Sequence, residues 1–385
     1  MRVILGVERL SKYDSLIRGK RIGLITNFSG ILPDWSQDTA HLLVEAGYEL
    51  VKIFTPEHGL YGAEAGESVE DMKHPKLGVP VVSLYGSRRT PAPEDLRDLD
   101  LLMYDIQDVG LRYYTYIYTM CYSLQAAASM GIPYVILDRP NPLGGRIISG
   151  ARIDPEIHSF VGDYELPMRY GLTIGETARY FLKYAGIQAD LTVIELENYS
   201  RDMLFPEQGL LWNTPSPALP TFNSTVCYSG GCLFEALNIS EGRGSDKPFQ
   251  IYGAPFIDMD DLYKDVRERV DDSKIAFRRR SFVPSTSKYQ GELCFGLEFH
   301  PLKPDCDFLM TALILMKAIW TRYPDSVELQ KIPGSIEGHH LSILSGNIWA
   351  EEYLSDRMSE KQLREGWASQ CAAFEDYAAD IRLYR

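Results

Sequence analysis

Within the first 140 residues one pattern recurs: a short β-rich apolar run, then a polar loop fixed by glycine or proline, then in most cases an amphipathic stretch. The runs are Arg21–Thr26, Leu50–Phe54, Val79–Leu84, Leu101–Tyr104 and Pro133–Leu137. Helical candidates lie between them, at about Thr39–Ala46, Glu94–Arg97 and Tyr116–Met130. Continuous apolar runs alternating with helices predict an α/β fold, with a mostly parallel, doubly wound sheet covered on both faces.

The loops after these runs hold the unusual residues: Asn27-Phe-Ser-Gly30, Thr55-Pro-Glu-His-Gly59, Tyr85-Gly86, Asp105-Ile-Gln-Asp-Val-Gly110 and Asp138-Arg-Pro-Asn-Pro142. In a parallel sheet all five emerge at the carboxyl edge, where open α/β sheets bind ligands. That convergence predicts the site. Further along, Thr173 and Glu176 have capping-box spacing, which predicts a helix ending near Ala185 before Gly186. Leu191–Leu196 reads as a strand. Beyond about residue 256 come a charged helical stretch (Asp260–Val270), a strand candidate (Glu292–Phe299) and an apolar helix (Phe308–Trp320). The length of 385 residues suits two domains. We divide them as 1–245, carrying the chemistry, and 246–385, a smaller α+β unit.

Composition narrows the function. Thirty-nine Lys and Arg against 53 Asp and Glu give a net charge of −14, which argues against nucleic acid and, weakly, against anionic membranes. Tyrosine (24) outnumbers phenylalanine (15), as suits a sugar or polar-ligand cleft. The six scattered cysteines lack CxxC spacing and read as buried free thiols. No stretch is long and apolar enough to span a membrane, and MRVILGVERL lacks a signal peptide's core. As written, the chain reads as cytoplasmic; a trimmed signal would make it exported.

Glu57 follows a buried strand and can serve as general acid, base or nucleophile. Glu64, on the small-residue segment after it, is a second carboxyl, and glycoside hydrolysis generally needs two. Asp105 is a candidate orienting acid, Gln107 a reader of hydroxyl or amide groups, and Arg112 a carboxylate clamp. Two prolines stiffen the loop that presents Asp138, Arg139 and Asn141. No dinucleotide fingerprint, P-loop, nucleophile elbow or HExxH motif occurs, so no cofactor is expected. A metal at His58, Asp105 and Asp138 is the minor alternative, and none is assigned. His339-His340 reads as a turn or surface pair.

Taken in order, these motifs resemble the NamZ-type exo-β-N-acetylmuramidases. The matching residues are Pro56-Glu-His-Gly59, Ser83-Leu-Tyr-Gly86, Asp105–Gly110 with Arg112–Tyr116, and Leu137–Pro142. Gly171–Glu176, Trp212 with Pro215-Ser-Pro217, and Glu241-Gly-Arg-Gly244 with Pro248-Phe249 extend the match. The resemblance implies a Rossmann-like catalytic domain without a nucleotide, plus an auxiliary domain. It implies release of N-acetylmuramic acid from the non-reducing end of peptidoglycan fragments. The family's proposed catalytic glutamate falls on Glu57. Lining the pocket, on this reading, are Asn27, His58, Asp105, Gln107, Arg112, Asp138, Arg139, Asn141, Glu241 and Arg243. The family's Pro-Ser-Pro-Asn ends here in Ala218. Two other readings use the same cleft: a non-catalytic muropeptide-binding protein, and a metal-assisted hydrolase of a cell-wall fragment.

Overall fold

The computed structural model describes residues 1–62, 69–271, 273–330 and 340–385. Nine strands come first: β1 (Arg21–Thr26), β2 (Glu49–Thr55), β3 (Met72–Lys73), β4 (Pro80–Ser83), β5 (Leu101–Asp105), β6 (Tyr134–Leu137), β7 (Ser149–Arg152), β8 (Pro167–Arg169) and β9 (Leu191–Ile194). The later strands are β10 (Ile251–Ala254), β11 (Ile275–Phe282) and β12 (Cys294–Pro301). The first helices are α1 (Asp14–Ile17), α2 (Thr39–Glu45), α3 (Pro93–Leu96), α4 (Tyr116–Ser129), α5 (Ile174–Ala185) and α6 (Phe222–Gly231). Then follow α7 (Met259–Arg267), α8 (Phe308–Arg322), α9 (His340–Ser345), α10 (Trp349–Leu354) and α11 (Glu360–Ala378).

The main sheet has the order β3-β4-β2-β1-β5-β6-β9. All its pairings are parallel except β3 with β4. The strand order therefore reverses between β1 and β5, the position at which doubly wound sheets open a crevice. Alternation along each strand fills both faces. Ile22, Leu24, Met103 and Val135 pack with Leu43 of α2 on one side. Ile25, Leu102, Tyr104 and Ile136 join Met120 of α4 and Phe181 of α5 on the other. Both faces being covered explains why the runs read as continuously apolar.

The amino-terminal run belongs to this core. Val3 and Leu5 are buried, and Gly6–Tyr13 forms a 3-10 helix on the sheet. The expected capping box is present: Thr173 accepts from Glu176 N, and Gly186 closes α5 at φ +64°. The C-terminal part is α+β, with the antiparallel sheet β10-β12-β11 carrying α7 and α8. Helix α6 also packs on α8 and β12. All six cysteines are buried and unpaired. Among the described residues no helix is long and apolar enough to cross a membrane.

Candidate active site

Strand β2 ends at Thr55, and the turn after it carries Glu57 and His58 to the carboxyl edge. The chain reverses there through two left-handed residues, His58 (φ 69°) and Gly59 (φ 70°). Tyr85 Oη donates to Glu57 Oε1 at 2.9 Å, and Thr115 Oγ1 donates to Oε2 at 2.7 Å. Tyr116 Oη donates to the Glu57 carbonyl at 3.4 Å. A hydroxyl on each oxygen fixes the carboxyl's orientation, and hydroxyls can rotate to serve either protonation state.

Glu57 and His58 open onto a cavity at the carboxyl edge of the main sheet. Tyr113–Tyr116 at the start of α4 form one side, with Val161 and Ser216 beside them. Tyr228 of α6, Cys232, Glu235, Arg243 and His340 of α9 supply the rest. The cavity therefore joins the carboxyl edge of the parallel sheet to residues from the second half of the chain.

Arg243 is the one permanent cation among the described lining residues. It donates to Glu235 Oε1, and its Nε lies 3.2 Å from Glu241 Oε1. Glu241 also meets Lys288 Nζ at 3.1 Å. Burial lowers the Arg243 pKa, but the Glu235 and Glu241 carboxylates more than offset this and raise it. Its charge is thus secure. Burial lowers the His340 pKa, so that imidazole is neutral at neutral pH.

The expected site residues separate into groups. Glu57, His58 and Arg243 line this cavity. Glu64 lies outside the described residues. Glu241 is buried and supports Arg243 from behind. Gln107 and Arg139 line a different, narrow pocket beside Trp35 and Gln208.

The others are internal supports. Asn27 is buried, and its Oδ1 accepts from Ser29 N and Oγ. Asp105 is fully buried. It takes Arg139 Nε on Oδ1 at 2.5 Å and Nη2 on Oδ2 at 2.9 Å, and also accepts from Thr39. Asn141 closes its own turn, bonding Leu143 N and Leu172 O. Asp138 is fully buried, with Tyr384, Thr173 and Gly175 as donors.

Arg112 differs most from expectation. Instead of clamping a ligand carboxylate, its guanidinium is wholly buried and donates to the carbonyls of Ala151, Leu166 and Leu344. It joins β7, the segment leading into β8, and α9. His340 also departs from the surface reading, since it opens α9 and lines the cavity. Among the described residues no cluster of His, Cys, Asp and Glu has the makings of a metal site. Glu235 was not foreseen. It sits in a 3-10 turn after α6 with no motif around it, so only the folded chain brings it to Glu57's cavity.

Comparison with known families agrees with this architecture. The N-terminal model of the exo-β-N-acetylmuramidase NamZ matches residues 22–223, and the C-terminal NamZ model matches 226–384. The chain belongs to the NamZ family. It is 41% identical over 365 residues to the peptidoglycan β-N-acetylmuramidase NamZ of Bacillus subtilis, covering 94% of this chain and 86% of that one. Two crystal structures of DUF1343 family proteins from Bacteroides fragilis share the fold. One has a TM-score of 0.87 at 30% identity, the other 0.78 at 26%. Each alignment covers 100% of this chain and 99% of the other.

Proposed function

We propose that this protein is an exo-acting glycoside hydrolase that releases N-acetylmuramic acid from the non-reducing end of peptidoglycan fragments. Membership of the NamZ family supports the bond and the sugar. The observation that carries the assignment to this cavity is Glu57, fixed by Tyr85 and Thr115 on a cavity shared with Arg243.

Glu57 protonates the glycosidic oxygen as the bond to the anomeric carbon breaks. Arg243 faces the lactyl carboxylate that distinguishes muramic acid from glucosamine. Glu235 is the counter-ion of Arg243. The second task, at the anomeric carbon, falls to the substrate's 2-acetamido group or to Glu64. Asp105, Asp138, Asn27, Asn141 and Arg112 hold the loops in place without touching the sugar. The cavity is lined from both halves of the chain.

The test uses purified protein with chromogenic β-glycosides of N-acetylmuramic acid and of N-acetylglucosamine, with and without EDTA. Release from the muramic substrate alone, unchanged by chelator, supports the reading. Tight binding of muropeptides without release would favour a binding protein.

A further inference from the structure

A second cavity, of about 300 Å3, lies where the β7–β8 pair meets the C-terminal part of the chain. It shares no lining residue with Glu57's cavity. Ile148 enters from the segment leading into β7 and Arg169 from β8. Phe308 and Leu309 come from the first turn of α8, and Trp367 and Ala368 from α11. The size falls at the lower end of small-molecule sites.

Arg169 is the unusual group. It is 5% exposed, and among the described residues its guanidinium meets no carboxylate. Its Nη2 donates to the Leu143 carbonyl, and its Nε is buried without a partner. Arg112, also buried, donates to three carbonyls instead. A buried charge left this poorly paired is costly. Burial lowers the Arg169 pKa to about 10, so it remains a cation at neutral pH.

The nearby acids already have partners. Asp305 Oδ2 lies 3.0 Å from Lys274 Nζ. Asp307 Oδ2 accepts from Arg364 Nη1 at 2.9 Å, and its Oδ1 caps α8 by accepting from Met310 N at 3.1 Å. Cys306 and Cys371 line the cavity too, but burial pushes their thiols up to about 12 and about 11, so neither is a counter-anion. The positive charge left over is that of Arg169. The other walls, Ile148, Phe308, Leu309 and Trp367, are largely apolar. A single cation among apolar walls suits a monoanion with a hydrophobic body, and a carboxylate matches the planar guanidinium. A doubly charged phosphate would be repelled by Asp305 and Asp307 and is the poorer fit.

We propose that this cavity binds a small organic monocarboxylate, its carboxylate on Arg169 and its apolar body against Phe308 and Trp367. Such binding does not depend on the reaction at Glu57. Isothermal titration of the full chain with 3-phenylpropionate, and with 3-phenylpropionamide as the neutral twin, tests it. The proteins compared are wild type, Ala368→Trp, Arg169→Met and Arg243→Ala. Ala368 is exposed on α11, so tryptophan there blocks the cavity from its mouth without disturbing the core. Arg243→Ala removes the cation of Glu57's cavity and reports on binding there. Wild type should bind the acid at least roughly ten-fold more tightly than the amide, the value of one charge-assisted hydrogen bond. Ala368→Trp and Arg169→Met should each weaken the acid roughly ten-fold or more, and Arg243→Ala should leave it within roughly two-fold. If Arg169→Met does not fold, Ala368→Trp still decides. No binding of the acid by wild type up to about 10 mM, equal affinity for acid and amide, unchanged binding in Ala368→Trp, or a loss confined to Arg243→Ala would overturn the proposal.

Discussion

Replacing Asp138 with asparagine should make the protein relatively more stable as pH rises, and leave substrate affinity unchanged. The carboxyl is fully buried below the sheet's carboxyl edge. Its Oδ1 accepts from Arg139 N at 3.0 Å and Gly175 N at 2.9 Å. Its Oδ2 accepts from Thr173 Oγ1 at 2.8 Å and Tyr384 Oη at 2.5 Å. Burial nevertheless dominates and pushes the pKa up to about 7, against the pull of those donors.

A raised pKa means that the folded state favours the protonated acid. The stability it contributes is therefore fully present below the unfolded value near 4, and is lost as pH climbs to about 7. A shift of about 3 units corresponds to about 4 kcal/mol. Asparagine does not titrate. Between pH 5 and 7 the variant should gain roughly 2 to 3 kcal/mol on wild type, or a few degrees in Tm for a chain this long. Asp108, which burial pushes up to about 6, titrates in both proteins and cancels from the difference. Thermal unfolding of both proteins at pH 5, 6, 7 and 8 measures it. A Tm difference that does not change with pH would refute the reasoning. A raised KM would show that Asp138 reaches the ligand.

Two further predictions concern the cavity. Tyr85→Phe removes one of the two hydroxyls that orient Glu57, so kcat should fall roughly ten-fold, the value of one charge-assisted hydrogen bond, with KM little changed. Steady-state kinetics across pH checks this, and an unchanged kcat would show that Thr115 alone suffices. Arg243→Ala should raise KM for muramic substrates at least roughly ten-fold while a lactyl-methyl-ester analogue is less affected. Equal effects on acid and ester would mean that Arg243 holds the wall rather than the carboxylate.

The alternation of apolar runs and Gly/Pro-fixed loops was enough to read the parallel sheet, because a sheet buried on both faces demands it. The same loops placed Glu57 correctly at the sheet edge. What loop position could not reveal was direction. Asp105, Asp138 and Arg112 sit in the same kind of segment as Glu57, yet their side chains turn inward to an ion pair, hydroxyls and carbonyls. Charge on a loop reads alike whether it meets a ligand or another loop. Glu235 and His340 escaped for another reason. They lie far along the chain in short helices without a motif, and reach the cavity only by packing of α6 and α9.

Glu57→Gln tests the central claim most directly, with free N-acetylmuramic acid released from a defined muropeptide quantified by mass spectrometry. Glutamine keeps the shape, its Oε1 accepting from one of the Tyr85 and Thr115 hydroxyls and its Nε2 donating to the other, but it cannot deliver a proton. The account predicts that release falls by roughly 10²- to 10⁴-fold, with Tm and muropeptide affinity close to wild type. Release at the wild-type rate would show that the protonating group lies elsewhere.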